Sequence, residues 1–144
     1  MKTVLLLGGI LLIAGTTTTY AQCDKKVVVT SSKTEHLGAD STVQRTDDES
    51  VTVEFNKDTL NVAISSSNGN QNLAGKVKSY SCDWSTPFKE GKTVLKATMT
   101  NENGESRDLS ITVTGKAGKI GFLAEVEGEP DRIRLVVDKF EEKK

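Results

Sequence analysis

The sequence predicts an all-β protein: an antiparallel meander of about eight or nine strands, curled or closed into a small barrel, with a two-sheet sandwich as the alternative. Two observations predict it. Apolar residues alternate with polar ones at period two over short segments, and clusters of Gly, Asn, Asp and Lys separate those segments. A third narrows the architecture, since one face of the alternation is apolar and the other rich in Thr, Lys, Ser and Glu, so the sheet has a single face to bury.

The chain opens with Lys2, a run that is apolar almost throughout from Val4 to Ala14, and then Gly15 and four threonines leading to Tyr20 and Ala21. This is the layout of a secretory signal peptide over residues 1–21, with the cut expected after Ala21. The apolar run is about half the length a membrane-crossing helix needs. Removing it leaves 123 of the 144 residues, 22–144, as one all-β domain. The expected location is periplasmic or secreted. A lipid anchor on Cys23 is the minor alternative, because Gln22, which precedes it, is not the small residue such processing favours.

The mature elements follow in order. Residues 26–31, with Val27, Val28 and Val29, form a first strand, and residues 41–47 a polar edge strand. Val51, Val53 and Phe55 pair across Asn56-Lys57-Asp58 with Leu60, Val62 and Ile64 as a hairpin. Residues 65–72, rich in Ser, Asn and Gly, are expected as a loop. A strand follows over residues 75–84, where Val77 is out of phase with Tyr80, Cys82 and Trp84, so a bulge is expected near Ser79.

Leu95, Ala97 and Met99 return through Asn103-Gly104 as Leu109, Ile111 and Val113; Asn-Gly is the strongest short-range hairpin signal. Turns at Lys116-Ala117-Gly118-Lys119 and Gly128-Glu129-Pro130-Asp131 introduce Ile120, Phe122, Ala124, Val126 and then Ile133, Leu135, Val137. Residues 131–140 also fit a helical face, but the β-branched residues and the continuing meander favour a strand. Residues 141–144 are expected as a frayed tail.

Without Lys2 the chain carries 18 basic and 20 acidic residues, a net charge of −2, which is not the footprint of a nucleic-acid partner. Cys23 and Cys82, an even pair in an oxidising compartment, predict a disulfide. Such a bridge requires their Cα atoms within about 7 Å, which ties the start of the first strand to the end of the one carrying Cys82.

Catalytic and metal chemistry finds few candidates. His36 is the one histidine, placed in a loop or strand end where Glu35 and Asp40 could orient it. Asp47, Asp48 and Glu49 cluster without the spacing of a calcium loop and read as a solvated turn. Gly115-Lys116-Ala117-Gly118-Lys119 lacks the length of a phosphate loop and reads as a hairpin. No cofactor or metal is implied, and the expectation is a non-enzyme.

The segment Asp83-Trp84-Ser85-Thr86-Pro87-Phe88-Lys89-Glu90-Gly91-Lys92-Thr93, with the alternating meander and the export signal, resembles small lipocalin-like secreted all-β proteins of Gram-negative bacteria. The Gly-x-Trp near the first strand of true lipocalins is missing, since Trp84 lies mid-chain. The resemblance implies an exported module that binds a small apolar ligand. The inward residues, from Val51 to Leu135, are bulky enough that a filled interior is expected all the same. The alternative is an envelope interaction or inhibitor protein acting through the loop around Trp84 and Phe88, with those two rings as anchors and Lys89 and Lys92 at the rim, although a large aromatic at a strand end more often plugs a barrel.

Overall fold

Eight antiparallel strands follow one another in chain order, and the last pairs with the first to close a barrel. The computed structural model describes residues 22–143; the segment expected as a signal peptide, residues 1–21, lies outside the described residues. The strands are β1 (Val27–Leu37), β2 (Val43–Phe55), β3 (Thr59–Ser66), β4 (Gly69–Thr86), β5 (Glu90–Thr100), β6 (Ser106–Lys116), β7 (Lys119–Val126) and β8 (Arg132–Glu142). Closure excludes the two-sheet sandwich. It leaves no sheet edge, so every strand has a neighbour on both sides.

The turns are built as their residues demand. Ala117 and Gly118 both take positive φ, 52° and 78°, as a two-residue turn matching the twist of β6 and β7 requires. Asn56 Oδ1 accepts the backbone N–H groups of Asp58 and Thr59, closing β2 onto β3. Asn101 does the same at the wider turn between β5 and β6, accepting from Asn103 and Glu105.

Several segments depart from expectation. The strands expected over residues 41–47 and 51–55 are one thirteen-residue strand, β2, which begins at Val43, and the acidic cluster Asp47-Asp48-Glu49 lies inside it rather than in a turn. β1, expected to stop at residue 31, runs on to Leu37, which puts His36 at a strand end, one of its two expected places. The Ser/Asn/Gly-rich segment is not a loop: Ser65 pairs with Asn70 and Ser66 with Gly69, leaving a two-residue turn. Its polar side chains hid an ordinary ladder, whose hydrogen bonds are made by the backbone whatever the side chains are. The expected tail is paired as far as Glu142, opposite Val27, and Lys143 N–H bonds to Lys26 O, because closure needs a partner for the start of β1.

The register between β4 and β5 shifts between Val77 and Ser79, at the expected bulge. A second irregularity was not expected. In β1 the buried positions are Val27, Val29 and Ser31, and then Thr34 and Leu37, so the alternation breaks at the exposed pair Ser32 and Lys33. Ser31 Oγ accepts the Lys33 N–H at 3.2 Å and donates to Lys33 O at 2.7 Å, bracing the bulge, whose unpaired residue is Ser32.

The core fills one end of the barrel. Val29, Val53, Phe55, Leu60, Leu95 and Val113 are buried almost completely, while outward positions such as Thr52, Glu54, Lys96 and Thr112 are polar. Apolar inside and polar outside is the reverse of a membrane barrel's outward apolar band. No helix among the described residues is long and apolar enough to cross a membrane.

Candidate functional site

The two ends of the barrel differ. At the end where β4 meets β5, Trp84 is 3% exposed and points into the core, its ring centroid 5.5 Å from that of Phe140. Phe88 packs edge-on against Phe140 at 4.9 Å. Pro87 and Phe88 form a tight turn between β4 and β5, with Phe88 at φ 59°. Gln22 Oε1 accepts the Phe88 N–H at 2.7 Å, and the Cys23–Cys82 disulfide, Cα to Cα 5.8 Å, fastens the segment before β1 to β4. This end is a plug.

The sequence offered Trp84 and Phe88 as surface anchors with Lys89 and Lys92 beside them. In the structure Trp84 is buried and Phe88 half-buried, so the rings do not form an exposed pair; Lys89 and Lys92 are exposed. The bridge also leaves no free thiol at Cys23 to carry a lipid.

The opposite end is open. A cup of about 850 Å³ enters the barrel between the β1–β2, β3–β4, β5–β6 and β7–β8 turns. The expectation of a filled interior fails here because the bulky inward residues stop partway up the strands. Eight strands leave an interior just wide enough to be filled or to hold one small ligand, and this barrel does the first at one end and the second at the other. Val62, Ile64, Leu73, Ile111, Phe122 and Leu135 supply much of the apolar wall.

The rest of the wall is polar: the β3–β4 and β5–β6 turns line the rim, and β1 and β2 carry charged and polar residues deeper into the cup. Arg45, Asp47 and Glu49 continue the same alternation as Val51, Val53 and Phe55, and they line the cup with Thr34 and His36. The bulge in β1 is what turns Thr34 and His36 to this side. His36 Nε2 lies 3.0 Å from Asp47 Oδ2 and 2.9 Å from an Arg45 Nη, while Arg45 Nε donates to Asp47 Oδ2 at 3.0 Å. Glu35 and Asp40, the orienting residues expected for His36, are elsewhere: Glu35 pairs with Arg134, and Asp40 binds Thr42.

Partial desolvation works to raise the Asp47 pKa, but hydrogen bonds and charge from Arg45, then His36, outweigh it and hold the carboxyl below its ordinary range. Thr34 is 3% exposed and its Oγ1 has no hydrogen-bond partner among the described residues. The histidine's side-chain hydrogen bonds are to Asp47 and Arg45, not to a hydroxyl or thiol. No group of three or more His, Cys, Asp or Glu among the described residues could hold a metal ion. The Gly115-to-Lys119 segment is the β6–β7 hairpin, as expected.

The sequence reading missed the polar wall although the signal was present. Counting back in twos from Phe55 reaches Glu49, Asp47 and Arg45, but charged residues on an inward face look like the end of a strand. Comparison with protein families, curated proteins and solved structures finds no match to this chain.

Proposed function

We propose that the chain is an exported, non-enzymatic binding module, lipocalin-like in outline, that takes up a small, largely apolar molecule through the open end of its barrel. The observation that carries this reading is the cup: about 850 Å³, closed below by packed core and open above. Ligand sites are typically concave, mostly apolar and several hundred Å³ in size, with a few polar groups that fix orientation. The plug and the disulfide support it from below, because a barrel anchored at one end holds its mouth open without relying on an occupant. Export rests on the residues before Gln22 and on a cysteine pairing suited to an oxidising compartment.

The alternative, an interaction or inhibitor protein working through the turn around Trp84 and Phe88, is less supported because Trp84 is buried and Phe88 half-buried, with Lys89 and Lys92 exposed beside them.

Fluorescence of N-phenylnaphthylamine, an uncharged apolar dye, tests the cup. Emission is expected to rise and saturate at one dye per chain. Ala124, on the cup wall from β7, is the place to fill it: Ala124→Phe is expected to weaken dye binding by about tenfold or more, the equivalent of about 1.4 kcal/mol. A wild-type protein that leaves the dye's emission unchanged would overturn the reading.

A further inference from the structure

The cup's charges do not balance. Asp47, Glu49, Glu102 and Glu105 line it against Arg45 and Arg107, four carboxylates to two guanidiniums, with His36 left aside. The guanidiniums are also engaged. Arg45 is bonded to Asp47, and Arg107 pairs with Glu129 at 2.6 Å. Glu105 accepts from Asn101, and Glu102 from Asn72.

Glu49 has no such partner: among the described residues it makes no side-chain hydrogen bond or ion pair, and it is half-buried. It stands one inward step above Val51, which is 4% exposed, so its carboxylate lies where the apolar floor meets the polar wall. Thr34, in the same wall, adds a buried hydroxyl without a partner.

We propose that the cup selects an amphiphilic cation, an apolar body bearing one amine or similar hydrogen-bond-donating cationic group, with Glu49 as its counter-ion. This rests on the reading of the cup as a binding site. An occupant that fills the cup strips water from Glu49, and a desolvated carboxylate needs donors and a positive charge. An ammonium supplies three donors, in charge-assisted bonds roughly twice as strong as neutral ones. A carboxylate ligand would instead meet Glu49 and Asp47, and like charges at close quarters select against it.

Isothermal titration of the exported protein with decylamine, decanol and decanoate, at neutral pH and low salt, tests the proposal. Decylamine is expected to bind about tenfold tighter than decanol, with decanoate weakest. Glu49→Gln, close to isosteric, is expected to abolish the amine's advantage and leave decanol binding unchanged. Glu125→Gln, the same charge change on an exposed outward position of β7, is expected to keep that advantage. Decanoate binding as tightly as decylamine would overturn the cation assignment, and an amine preference that survives Glu49→Gln would overturn Glu49 as the counter-ion; either result leaves the cup as a site. Failure of all three ligands to bind would remove both.

Discussion

Trp84 donates its indole N–H to Thr93 Oγ1 at 2.7 Å inside the barrel, and Thr93 is itself only 1% exposed. Both residues lie on the β4–β5 pair, so the bond fixes the ring across the barrel's lower end. The Thr93 hydroxyl in turn reaches Cys82 Sγ at 3.5 Å, which links the ring to the disulfide. Thr93→Val keeps the shape and removes the acceptor. A buried donor left without a partner costs about 1–3 kcal/mol, and the variant is expected to unfold at correspondingly lower urea. Trp84 is the one tryptophan, so its own fluorescence reports the transition.

Gly115 faces that ring from β6. A Cβ there would lie 2.4 Å from Trp84 Cζ3 and 2.9 Å from Lys89 O, and a buried, hydrogen-bonded indole has little room to give way. Gly115→Ala is expected to destabilise by about 1–3 kcal/mol through overpacking. Thermal denaturation checks the size. A red shift of tryptophan emission in the folded variant would show that the ring, rather than the backbone, moved.

The disulfide encloses a long loop, with 59 residues of sequence separation between Cys23 and Cys82. The chain-entropy estimate for a loop of that length is about 4 kcal/mol. A small domain's net stability is about 5–15 kcal/mol, so the bridge decides whether the barrel stays folded under mild stress. The Cys23→Ser, Cys82→Ser double variant is expected to lose about that much in urea unfolding. Adding reductant should bring the wild type to the same midpoint and leave the variant unaffected.

How far the fold and the site could be read from the sequence follows from which signals are local. The hairpins around Asn56, Asn103 and Gly118 were legible because each turn needs particular residues at particular positions. A meander curled or closed into a barrel was legible too, but the register of β8 on β1 was not, since it depends on curvature accumulated over the whole sheet. The ladder of Ser65 and Ser66 with Asn70 and Gly69 escaped notice because polar strands carry no hydrophobic alternation. Within the site, Val62 and Leu135 were legible as inward positions. Thr34 and His36 were not, because the bulge at Ser32 and Lys33 reverses the phase that would have placed them. Trp84 allowed two readings, anchor and plug, because it stands where the alternation of β4 ends; its burial makes it the plug.

On the barrel's exterior, Asp108 on β6 ties three strands together. It accepts two bonds from Lys78 Nζ, 2.9 and 2.8 Å, and one from Thr98 Oγ1 at 2.7 Å. Lys78 first, then Thr98, hold its pKa below the ordinary range against a smaller opposing effect of desolvation. A carboxyl with a depressed folded pKa contributes stability above its unfolded value, and that contribution is lost as pH falls through the folded one. Asp108→Asn is therefore expected to lower the melting temperature at neutral pH. The gap from wild type should close as pH drops below about 4, the ordinary aspartate value. A gap that persists unchanged into acid would mean that geometry, not charge, sets the contribution.

Ser31 connects the strand irregularity to the cup. Its hydroxyl is 2.7 Å from Lys33 O and 3.2 Å from Lys33 N, and the residue is 3% exposed. Ser31→Ala leaves backbone groups of Lys33 without that partner, at an expected cost of about 1–3 kcal/mol. The effect should reach beyond stability, because this bulge is what turns Thr34 and His36 toward the cup and Lys33 away from it. Amide exchange at Lys33 is expected to accelerate, and N-phenylnaphthylamine binding to weaken with it. Ser31→Thr, which keeps a hydroxyl at the same place, is expected to restore both. If Ser31→Ala lowered stability while dye binding stayed at the wild-type level, the polar wall would be held by the His36, Arg45 and Asp47 contacts rather than by the bulge.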